Sequence, residues 1–77
     1  VVKPTKVTNS IRALRFAHGE MTQAALAERI GVTRQTVIAI EQGRYSPSLE
    51  MAFQIARVFG VALDDVFQYP ETEGEAE

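Results

Sequence analysis

The stretch that decides the fold is residues 23–42, QAALAERIGVTRQTVIAIEQ. It reads as two short helices around a tight turn. In the first, Ala24, Ala27 and Ile30 recur at helical spacing and are expected to face a core. Gly31 breaks the run, since glycine takes the left-handed backbone of a helix end without strain. Thr33 opens a second helix, expected over residues 34–42, because its hydroxyl can satisfy free amides in the first turn. Val37 and Ile40 turn this helix toward the same core, and Gly43 stops it.

The other side of the second helix is the informative one. At about 100° per residue, Arg34, Gln35, Ile38, Ala39 and Gln42 share an arc opposite Val37 and Ile40. Arginine matches the two acceptors of guanine, and glutamine matches the donor–acceptor pair of adenine. Helix, turn and outward-reading helix make the helix-turn-helix layout, whose second helix enters the DNA major groove. Ile38 is expected to lie exposed in mid-face. With Ala39 it is assigned to thymine methyl groups; the alternative is that Ile38 packs on a neighbouring helix or a partner subunit.

Phosphate contacts are expected around this helix. The N-terminus of the preceding helix is a natural anion site, and Gln23 can add its side-chain amide there. Arg44, Thr36, Arg12 and Tyr45 are further candidates, with Asn9 and Ser46 behind them. For Arg12 and Arg44 the alternative is an ordinary solvated side chain. Arg15 and Glu41 are expected to point inward, to pair, and to fix the angle of the second helix.

Outward from this motif, residues 1–6 read as a flexible arm, 7–69 as one domain and 70–77 as a disordered acidic tail. A first helix is expected over residues 10–17, with Asn9 or Thr8 as cap acceptor, Ile11 and Leu14 inward, and Gly19 at its end. Thr22 caps the second helix. Ser48 caps a fourth, Leu49–Phe59, whose expected core stripe is Leu49, Ala52, Phe53, Ala56 and Phe59, widened by Ile55 and Val58. A short fifth helix near residues 63–66 carries Asp64 and Asp65 in its first turn, where negative charge is favoured. Residues 7–8 are expected to pair with 67–69 as a small antiparallel sheet.

Size and composition fit this outline. The chain has 77 residues, enough for one small domain. With no cysteine and a single histidine, His18, no metal site and no cofactor are expected. No apolar run approaches the roughly 20 residues of a membrane span, and no signal peptide is recognised. A soluble, cytoplasmic protein without a small-molecule ligand is expected. The net charge of −2 is unevenly spread: all eight Lys and Arg precede Pro70, together with six of the ten Asp and Glu. The four remaining glutamates, Glu71, Glu73, Glu75 and Glu77, follow it. Local charge on a binding face matters more for phosphate steering than the total.

The pattern T-Q-x-x-L-A-x-x-x-G-V-T-R-Q-T-V-x-x-I-E-x-G-x-x-x-P-S-L, residues 22–49, resembles the Cro/C1-type (Xre) helix-turn-helix regulators. The segment of residues 33–68 resembles the small stand-alone members of that family, including the cytolysin repressor. The resemblance covers residues 10–69. It implies an all-α, five-helix, lambda-repressor-like domain with a short two-stranded antiparallel sheet joining its ends. It also implies binding to double-stranded DNA as a homodimer on a two-half-site operator. The family's base-contacting positions fall on Arg34, Gln35 and Ala39, with Ile38 nearby, and its backbone contacts on Gln23, Thr36 and Arg44. The chain departs from the family at Ile38 and Ala39, often polar elsewhere, at the longer turn of residues 19–21, and at Phe16.

A transcriptional regulator, most simply a repressor, is therefore the leading expectation. A restriction–modification controller is a variant of it. An antitoxin that binds a toxin protein is the alternative of a different class, though the few acid-rich residues after Tyr69 are short for a toxin-binding segment. Catalysis is not expected, as no nucleophile–base pair is evident. Leu63, Val66, Phe67 and Tyr69 are the expected dimer interface, the alternative being intrachain core.

Overall fold

A computed structural model describes residues 6–70. The expected arm and acidic tail lie almost wholly outside the described residues. The elements are β1 (Thr8–Asn9), α1 (Ile11–Ala17), α2 (Gln23–Ile30), α3 (Arg34–Glu41), α4 (Leu49–Phe59), α5 (Leu63–Val66) and β2 (Phe67–Gln68).

Short polar side chains open three of the helices. Thr22, Thr33 and Ser48 each accept a hydrogen bond from the amide three residues on, at 3.0, 3.2 and 3.1 Å. A cap of this kind is worth about 1 kcal/mol. α1 starts differently. Ser10 makes no side-chain cap bond; the Asn9 side-chain oxygen Oδ1 accepts from the Ile11 amide instead, at 3.2 Å. At α5, Ala62 cannot cap, and the Asp65 carboxylate reaches back to accept from the Ala62 amide at 3.3 Å. Between α2 and α3, Gly31 has φ +75°. That left-handed turn lets the Val32 amide bond the Ala27 carbonyl at 3.0 Å and sends α3 off at once in a new direction.

The core is wholly apolar. Ile11, Leu26, Val37, Ile40, Ile55 and Val66 are the largest enclosed side chains, joined by Ala27, Ile30, Ala56 and Phe59. His18 meets Phe59 edge-on at 5.2 Å, which closes the end of α1 onto α4. Two expected faces are turned from where periodicity put them. In α2, Ala24 is exposed and Leu26 takes the deepest place. In α4 the covered arc is Ala52, Ile55, Ala56 and Phe59, while Leu49 and Phe53 stand 68% and 50% exposed. The apolar stripe of α4 is wider than the surface that α2 and α5 present to it, and the flank carrying Leu49 and Phe53 is left over.

The two-stranded sheet is antiparallel, and its first strand lies one residue later than expected, with Thr8 opposite Gln68 and Asn9 opposite Phe67. The Ser10 amide continues the pairing by donating to the Val66 carbonyl at 2.8 Å. Asn9 is therefore inside the ladder, where its side chain can reach α3.

Candidate nucleic-acid interface

α3 is held by its inner side. Val37 and Ile40 are 1% and 2% exposed, and the Thr33 cap fixes the first turn. Arg34 and Gln35 consequently project from that turn into solvent, and Gln42 is exposed at the far end. Ile38 and Ala39 lie between them and are half-buried, so Ile38 is less exposed than its position on the arc suggested. The Thr36 hydroxyl is turned onto the Thr33 hydroxyl at 3.1 Å. The chain leaves α3 through Gly43, and the Arg44 amide bonds the Ala39 carbonyl at 3.0 Å. Arg44 and Tyr45 are exposed just beyond.

Beside α3 opens a cleft of about 600 Å³ where α1, α2 and α3 meet, with Arg12, Arg34, Gln23 and Gln42 on its walls. Its floor is an ion pair. The Glu41 carboxylate accepts from Arg15 Nε at 2.7 Å and from Arg15 Nη2 at 3.1 Å, a two-pronged contact. Arg15 Nη1 donates to the Met21 carbonyl at 2.8 Å. Both side chains are about one-tenth exposed, at 11% and 9%. Gln23 Nε2 donates to the same carboxylate at 3.2 Å. One amide hydrogen that the sequence offered to phosphate is thus committed to Glu41. The start of α2 still faces the cleft through Thr22 and Gln23. Arg12 holds its guanidinium carbon 5.8 Å from the centre of the Phe16 ring, which gives the exposed Phe16 a partner.

Asn9 has a role that the sequence reading missed. Its amide donates to the Ile40 carbonyl at 3.0 Å and the Glu41 carbonyl at 3.4 Å. It satisfies the open end of α3 rather than standing free for phosphate. No periodic signal marks such a residue; only the shifted strand register brings it there. Val66 is likewise corrected. It is 0% exposed within its own chain, so it cannot touch a partner, whereas Leu63 and Phe67 are half-buried and Tyr69 is 67% exposed.

The helix-turn-helix family model HTH_3 matches residues 11–66, most of the chain, spanning α1 to α5. The chain belongs to the Cro/C1-type (Xre) helix-turn-helix family. That family is one of DNA-binding transcriptional regulators and not of enzymes. The chain is similar to the uncharacterized HTH-type transcriptional regulator MJ0272 of Methanocaldococcus jannaschii, at 49% identity over 84% of this chain and 97% of that one. It is 34% identical to the cryptic phage CTXphi transcriptional repressor RstR of Vibrio cholerae, over 84% of this chain and 58% of the repressor. Among solved structures it resembles the hypothetical transcription factor NHTF from Neisseria, with a TM-score of 0.68, 30% identity, and 78% and 68% of the two chains covered. Among the described residues no helix is long and apolar enough to cross a membrane.

Proposed function

We propose that the protein is a sequence-specific repressor of transcription that places α3 in the major groove of an operator. The observation that carries this is the first turn of α3. Arg34 and Gln35 stand free there on a helix whose other side is locked into the core and whose last turn is anchored by Arg15 and Asn9. Arg34 and Gln35 read base edges, with Ile38 and Ala39 supplying apolar contact. Arg12, Arg44, the hydroxyl of Tyr45 and the start of α2 at Gln23 meet phosphates. Thr36 serves the start of α3 instead, its amide and its hydroxyl both meeting the Thr33 hydroxyl.

Repression by a homodimer is the second part of the proposal. One helix reads only a few base pairs, and two placed about 34–36 Å apart read successive major grooves. The face that supports dimerisation is wider than Leu63, Phe67 and Tyr69. It includes the exposed Leu49 and Phe53 and an apolar groove of about 280 Å³ lined by Val7, Pro47, Leu49, Leu63 and Phe67. The resemblance to a phage repressor supports the sign of regulation.

Selection of bound duplexes from a random pool, followed by footprinting, tests the reading. The expected result is a pair of related half-sites about one helical turn apart. Equal retention of all sequences, or retention of none at modest salt, rejects it.

A further inference from the structure

Past the hydrogen-bonding residues of α3 lies a second feature of its outer side, an open hollow of about 310 Å³ bounded by Gln35, Thr36, Ala39 and Tyr45. Its walls are almost entirely apolar. The apolar groups that these residues own are the Ala39 methyl, the Thr36 methyl, the Gln35 methylenes and the Tyr45 ring. The Thr36 hydroxyl is turned onto the Thr33 hydroxyl at 3.1 Å. Tyr45 is 43% exposed, so its ring is open to contact. Among the residues that bound it, Gln35 brings a side-chain amide and Tyr45 a hydroxyl.

We infer that this hollow is a receptor for the C5-methyl edge of a thymine, and that Tyr45 is a specificity-determining residue rather than solely a phosphate contact. Of the four bases, only thymine shows a methyl group in the major groove, and it does so beside the O4 acceptor. An apolar recess bounded by a glutamine, whose amide can donate, suits that pair of features. Cytosine would place a bare C5–H in the recess, and the missing methyl is what separates the two, since a glutamine amide can donate to O4 or accept from an amino group. The hollow is continuous with the reading face through Gln35 and Ala39, which are one helical turn apart on it. The inference rests on the major-groove reading of α3, and it adds a residue that lies outside the helix.

The test uses the selected operator with thymine replaced by uracil, one position at a time, within one half-site. Uracil keeps every hydrogen-bonding group and removes only the methyl. The full chain is expected to lose about fourfold in affinity at one position, the ratio that burial of a single methyl or methylene group corresponds to. Tyr45→Ala is expected to abolish that difference, and Tyr45→Phe to keep it, since the ring and not the hydroxyl forms the wall. If Tyr45→Ala does not fold, Ala39→Val fills the recess from the helix side and is expected to erase the same difference. Indifference to uracil at every thymine overturns the inference while leaving DNA recognition by α3 intact. A uracil effect that survives in Tyr45→Ala, or in Ala39→Val where that variant is the one used, overturns it as well. Failure of the unaltered chain to retain any duplex overturns both this and the reading on which it rests.

Discussion

At the scale of the single residue, Glu41 carries the most obligations. Its carboxylate receives donors from Arg15 twice and from Gln23 once, so one side chain joins α1, the start of α2 and the end of α3. Desolvating a charged pair is costly, and the pair holds because nearly every lone pair is matched. Removing one partner leaves the other charge enclosed. Arg15→Ala is therefore expected to cost about 3–5 kcal/mol in urea unfolding, and an unchanged midpoint refutes the role. Replacing both members by apolar residues of similar volume is expected to recover much of that loss, since Asn9 still holds the end of α3 through the Ile40 and Glu41 carbonyls. On the outer side, Arg34→Ala is expected to cost about 1–3 kcal/mol and to relax selection at one base pair. Arg44→Ala is expected to weaken all sequences alike and to lower the salt slope by about one unit. Titrations at several salt concentrations separate the two.

At the scale of the element, the helices are specified by their ends. Thr33→Ala is expected to destabilise the domain by about 1 kcal/mol through the lost bond to the Thr36 amide. Gly31→Ala is expected to cost about 1–2 kcal/mol. Nothing lies within 4 Å of an added Cβ there, so the left-handed backbone is the whole penalty. Thermal melts of the two variants measure both effects. The caps and glycines also explain how much of the fold could be read beforehand. Thr22, Thr33 and Ser48 mark starts, Gly31 and Gly60 mark stops, and all five helices lie within a residue or so of their expected limits. The turned faces were not legible. Eight apolar residues on α4 tell which side is apolar, but not how much of it neighbouring helices will cover, so periodicity assigns Leu49 and Phe53 to a core that has no room for them. In the same way Arg34 and Gln35 follow from the helical period alone. The hollow at Tyr45 does not, because it depends on how the chain folds back after Gly43.

At the scale of the whole molecule, an apolar flank lies on one side and the exposed face of α3 on another, and the proposed homodimer uses both. Leu49→Glu or Phe53→Glu is expected to leave the melting of the single domain nearly unchanged, as both residues are half or more exposed. Sedimentation should then show a monomer, and affinity for a two-site operator should fall toward that for one half-site. A dimer that persists in both variants places the interface elsewhere. The strand pair that brings residues 8–9 to 67–68 has its own effect at this scale. Asn9 belongs to that pair and also grips the Ile40 and Glu41 carbonyls. The clasp at the domain's base and the tip of its reading helix thus share one fastening. Opening the clasp frees the helix tip in the same event, and deuterium uptake at Asn9 and at the end of α3 should rise in step rather than in sequence.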